Sequence, residues 1–107
     1  MNMNNAKQIV TSRVVETLAI DKLTPYDKNP FHLYEGERLE DMVESVRENG
    51  ILVPIIVRRL NSDFIILAGH NRVQAAKRAG FIEIPSIVLE DITDDEAMVI
   101  IVESNLL

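Results

Sequence analysis

Residues 68–72 read Ala68-Gly69-His70-Asn71-Arg72, an apolar stretch broken by a glycine and followed at once by three nitrogen-bearing side chains. The run before it, 64–68, has strand character, and 71–79 has helical spacing, so Gly69 marks a strand-to-helix turn in which the backbone bends without a Cβ. A helix opening there leaves its first N–H groups unpaired, and its aligned peptide dipoles make that end positive, so phosphate or carboxylate oxygens are attracted to it. Arg72, in the first turn, adds a planar set of donors suited to phosphate. His70 has the chemistry of a nucleophile toward phosphate or of a general base. The competing reading is structural: such turns are common, a lone first-turn arginine is ordinarily solvated, and a lone histidine ordinarily serves the turn.

The charge distribution singles out the same segment. Seventeen acidic against eleven basic residues give a net charge of −6, the wrong sign for a surface that grips nucleic acid as a whole. Between Pro54 and Gly80, however, Arg58, Arg59, Arg72, Lys77 and Arg78 face a single acid, Asp63, a net +4 that leaves −10 for the remainder. Arg58 and Arg59 follow a buried-looking strand and read as rim residues. Lys77 and Arg78 fall at the end of the helix, where they meet its negative dipole.

At 107 residues, 47% hydrophobic and 26% charged, the chain suits one globular domain with a modest core; disordered, collagen-like and disulfide-scaffold classes are excluded. With no cysteine there is no disulfide, thiolate metal site or cysteine nucleophile. The longest apolar run, 51–57, falls far short of the roughly 20 residues of a membrane span, and residues 1–8 are polar without the apolar core of a signal peptide. A cytoplasmic protein with a flexible tail over 1–12 and one domain over 13–107 is expected.

The elements that must position the turn follow from periodicity. A first strand is expected over 14–20, then a turn-rich loop from Thr24 to Pro30. Leu39, Met42, Val43 and Val46 make an amphipathic helix over 37–48, stopped by Asn49-Gly50. Strands over 55–60 and 64–68 form a hairpin around Asn61-Ser62-Asp63, and a further strand over 84–89 carries Pro85 near its start. Thr93-Asp94-Asp95-Glu96 is a capping box opening a helix whose apolar run is 97–102. That helix meets no stop signal by Leu107, so the parent helix is expected to continue.

The order of these features resembles the N-terminal domain of ParB-type partition proteins, within the ParB/sulfiredoxin-like superfamily, over residues 18–107. The matching stretches are Asn29-Pro30-Phe31, Leu39 to Ser45 with Val46 and Glu48-Asn49-Gly50, Pro54 to Arg58, Ile66 to Arg72 with Ala75-Ala76 and Gly80, Ile84-Pro85, and Glu103-Ser104-Asn105. The Gly-His-Asn-Arg form of the turn is similar to ParB-like proteins of mobile elements. The resemblance implies an α+β fold, a small mixed β-sheet packed with three to four helices. It also implies a CTP- and Mg²⁺-dependent switch, with nucleotide held by Gly69, His70, Asn71, Arg72, Asn29, Glu103 and Asn105. Weak CTPase activity, self-association and DNA contact through a helix-turn-helix beyond Leu107 would accompany it, with no membrane partner.

The departures are specific. His70 stands where the family has Glu, Asn71 where it has its first Arg, Tyr34 where the first loop often supplies another Arg, and Ser104 where it has Glu, with Glu103 adjacent. Each missing arginine removes charge-assisted hydrogen bonds of roughly 1.5–3 kcal/mol. Two other readings compete. The apolar last helix, with Met98, Val99, Ile101 and Val102, can serve a nucleotide-independent protein interaction. A nuclease would need metal-binding acids near the turn, whereas Glu90, Asp91, Asp94, Asp95 and Glu96 cluster at the last helix, where capping and dipole complementarity explain three of them. Sulfiredoxin chemistry needs a cysteine in the turn, and His70 occupies that place.

Overall fold

Asn61, at φ +60°, reverses the chain between two β-branched runs, a conformation that Asn tolerates better than most side chains. The hairpin it closes is the centre of the fold. In the computed structural model, which describes residues 14–28 and 33–105, the elements in chain order are β1 (Val15–Ala19), a single 3₁₀ turn (Ile20–Lys22), β2 (Leu23–Thr24), α1 (Gly36–Asn49), β3 (Ile55–Leu60), β4 (Asp63–Ala68), α2 (His70–Arg78), β5 (Glu83–Leu89) and α3 (Asp94–Ser104). The strands form one mixed sheet in the order β1-β5-β3-β4-β2. β1 runs antiparallel to β5, β3 antiparallel to β4, and the β3–β5 and β4–β2 pairs are parallel.

Strand side chains alternate between faces, so the sheet carries two cores. On one face Ile55, Val57, Ile66 and Ile84 meet Val73 and Ala76 of α2, with Ile20 closing the edge. On the other, Leu67 and Leu89 meet Ala97, Ile100 and Ile101 of α3. α1 does not reach the sheet's centre; Leu39, Val43 and Val46 pack around Ala75 on the outer side of α2. At roughly 1.5–3 kcal/mol for each large apolar side chain buried, these contacts fix where β4 ends and α2 begins. The result is the expected α+β class, with three α-helices.

Three local expectations shift. The first strand ends at Ala19, because Ile20 turns inward, 4% exposed, and donates its N–H to the Ile82 carbonyl at 2.9 Å. Leu23–Thr24, part of it expected as loop, adds parallel to β4 through Leu23 opposite Phe64 and Thr24 opposite Ile65. Two residues are too few for a period to show; the open edge of β4 makes this strand. α2 begins at His70, one residue earlier than its apolar spacing suggests. Tail residues 1–12 lie outside the described residues.

Both halves of the expected capping box are present: Glu96 N–H donates to Thr93 Oγ1 at 3.1 Å, and Thr93 N–H to Glu96 Oε1 at 2.9 Å.

Candidate functional site

Gly69 is the last residue before α2 and lies in the left-handed region, φ +104°. A Cβ there would stand 2.6 Å from Ile55 Cγ2 and 2.9 Å from an Arg72 terminal nitrogen, so both backbone angle and space demand glycine. Its carbonyl accepts the first helical bond, from Val73 N–H at 2.9 Å. No side chain caps the helix start. Arg72 thus folds back across the turn, its Nε buried with no hydrogen-bond partner. Burial also lowers its pKa from the ordinary guanidinium value by desolvation, largest when nothing anionic is near. A buried donor on a charged group without an acceptor is costly, and an anion at the turn would relieve that cost.

The neighbours of Arg72 are employed differently. His70 is half-buried, and its Nε2 accepts from Tyr26 N–H at 3.5 Å; burial depresses the ring's pKa below its ordinary 6.5. Asn71 does not present its carbonyl oxygen to the turn. Its Oδ1 accepts from Tyr34 N–H at 2.7 Å and ties the segment preceding α1 to the start of α2. Tyr34 in turn carries Arg38, whose guanidinium carbon lies 3.8 Å from the ring centroid and whose Nη2 donates to the phenol oxygen at 3.1 Å.

The remaining expected residues lie at the end of α3. Asn105 Nδ2 donates to the Ile101 carbonyl at 2.7 Å and to Ser104 Oγ at 3.3 Å, so its amide nitrogen caps the helix. Ser104 Oγ donates to the same carbonyl at 2.9 Å. Glu103 is half-buried one residue earlier. Ile101 packs in the cluster that holds Leu67 and Ala68, the two residues before Gly69. Asn29 lies outside the described residues.

The positive segment is less free than its charge suggests. Arg58 donates to Asp94 at 2.8 Å and to the Ile92 carbonyl at 3.0 Å, fastening β3 to the start of α3. Arg59 pairs with Glu90 at 3.8 Å, and Arg78 with Glu40 at 3.2 Å. Three of its five cations therefore serve contacts between elements, and Arg72 is the one at the turn. Among the described residues no group of three His, Asp or Glu side chains converges to hold a metal. A Mg²⁺ arriving with a nucleotide would be held chiefly by phosphate oxygens and water, in keeping with the ion's usual habit.

Sequence reasoning missed Tyr26 and Arg38. Their only local signal was an aromatic or cationic residue near a turn-rich loop; what matters is that the fold brings them beside α2 and Tyr34.

A mixed five-stranded sheet with α2 on one face, α3 on the other and a glycine turn feeding α2 defines an α+β domain of the ParB/sulfiredoxin-like class. The chain belongs to the ParB N-terminal domain family, which it matches over residues 3–106. It is 35% identical over 99 residues to a probable chromosome 1-partitioning protein ParB of Deinococcus radiodurans, covering 92% of this chain and 34% of that protein. It therefore spans about a third of that curated relative's length. The ParB of Caulobacter crescentus superposes in two C-terminally truncated structures. One, complexed with CTP-γ-S, gives a TM-score of 0.76 at 32% identity, over 88% of this chain and 54% of that one. The other, complexed to the centromeric parS site, gives 0.70 at 29%, over 85% and 46%. Sulfiredoxin from Arabidopsis thaliana shares the fold, with a TM-score of 0.63 at 18% identity over 72% of this chain and 85% of that one.

Proposed function

We propose that this chain is the nucleotide-binding regulatory domain of a ParB-like partition protein, and that its ligand is CTP with Mg²⁺. The observation that carries the reading is Arg72: a guanidinium with a buried, unpartnered Nε lying across a glycine turn at the open start of α2. The CTP-γ-S complex of the Caulobacter relative supports the choice of nucleotide. Gly69 lets phosphate approach the backbone, the first N–H groups of α2 donate to it, and Arg72 neutralises it. Asn29, Glu103 and Asn105 complete the pocket. His70 and Asn71 border the phosphates through their ties to Tyr26 and Tyr34. Binding favours self-association and, in the cytoplasm, DNA engagement through a helix-turn-helix beyond Leu107; the parS complex of the same relative supports the DNA partner.

Calorimetric titration of CTP, ATP and GTP with Mg²⁺ tests this. Heat with CTP is expected, and Arg72→Ala should weaken binding roughly ten- to hundredfold or more, the loss of charge-assisted bonds, with little change in melting temperature. A folded sample giving no heat with any nucleotide sinks the reading. It would then favour the nucleotide-independent interaction for which Met98 and Val102, 46% and 45% exposed on α3, are available.

A further inference from the structure

Arg38 lies outside the turn and outside every matching motif, on the first turn of the other long helix. Two features make it more than a solvated surface cation. Its guanidinium carbon lies over the Tyr34 ring, 3.8 Å from the centroid, and its Nη2 donates to the phenol oxygen at 3.1 Å. A long side chain held by two contacts to one ring is partly ordered before any ligand arrives, which lowers the entropy lost on binding. The platform is itself anchored: Tyr34 N–H donates to Asn71 Oδ1 at 2.7 Å, two residues after Gly69 and next to Arg72. Leu33, Tyr34, Glu35 and Arg38 line an open groove of about 340 Å³ beside this anchor.

We infer that Arg38 is a second phosphate-binding residue, delivered to the ligand of the Gly69 turn by Tyr34 as platform and Asn71 as tether. The inference rests on the nucleotide reading above and extends it to a group that the turn does not contain. Asn71 is then a positioning residue: it acts through Tyr34 on Arg38. The chemistry selected is an extended polyphosphate, long enough to reach from the first turn of α2 to the stacked guanidinium. A single phosphate satisfies Arg72 alone.

The affinities of CTP and CMP, each with Mg²⁺, separate the possibilities in the 107-residue chain. Arg38→Ala should weaken CTP about tenfold and leave CMP unchanged, collapsing the ratio between them; Arg38→Lys, which keeps charge but not the stacked plane, should fall between. Asn71→Ala should lower the same ratio, and the Arg38→Ala/Asn71→Ala pair should be little worse than Arg38→Ala alone, the mark of a residue acting through another. Arg38 is exposed, so its replacement leaves the fold intact, with an unchanged melting curve as the control. A wild-type CTP-to-CMP ratio in Arg38→Ala, where Arg72→Ala still weakens binding of both, overturns this inference and leaves the nucleotide site standing. A wild-type protein that binds neither nucleotide overturns both.

Discussion

His70 is the first residue of α2, and its Nε2 accepts a hydrogen bond from Tyr26 N–H at 3.5 Å, a role open only to the unprotonated nitrogen. Burial holds its pKa below the ordinary value of 6.5. Above the unfolded value both states are neutral, and the ring contributes nothing pH-dependent. As the pH falls through it, the unfolded chain takes up a proton that the folded one refuses, and stability drops until the folded pKa is passed. Wild type should therefore lose more melting temperature than His70→Gln between about pH 7.5 and about pH 5.5; parallel curves would show that His70 does not titrate differently on folding. At this scale Gly69 and Arg72 were legible in the sequence, because a glycine before a helix and an arginine in its first turn are local facts. The work of Asn71 was not. Its partner Tyr34 lies 37 residues earlier, and only packing of α1 on α2 brings the two together.

Among the elements, α3 shows how local chemistry and tertiary packing divide a task. Thr93 and Glu96 satisfy two backbone donors reciprocally, Asp94, Asp95 and Glu96 complement the dipole, and Asp94 also receives Arg58 from β3. Thr93→Ala should cost about 1 kcal/mol, read as a melting temperature lower by about 4–8 °C in a domain of this size, with CTP affinity unchanged. A larger fall would mean that the cap also sets how Ile100 and Ile101 meet the sheet. Every long element was readable from its period: α1 from Leu39, Val43 and Val46, the β3–β4 hairpin from alternation around Asn61, α3 from its box. β2 was not, because a two-residue strand exists only where β4 offers an edge. The end of β1 is hidden for a related reason: Ile20 is apolar enough to continue a strand, and the Ile82 carbonyl it binds is a tertiary partner.

For the molecule as a whole, charge decides which phosphate ligand fits. The segment from Pro54 to Gly80 carries +4 inside a chain of −6, yet Arg58, Arg59 and Arg78 face Asp94, Glu90 and Glu40. The last two pairs are exposed and weak in stability terms, but each sets a carboxylate beside the cation that a DNA backbone would need. Duplex binding draws its affinity from neutralising a row of phosphates, whereas three of the five cations in this segment already face carboxylates and Arg72 lies at the turn. On the proposed reading a compact polyphosphate would meet Arg72 and Arg38, whereas a duplex would also meet the remaining charge of −10. The 107-residue chain should therefore show no gel shift with duplex DNA at low salt up to protein concentrations on the order of 10 µM, where non-specific binders already associate. Over the same range CTP should still give heat. Tight duplex binding by this chain at low salt would mean that its cations leave their carboxylate partners for DNA, and would place a nucleic-acid contact in this domain.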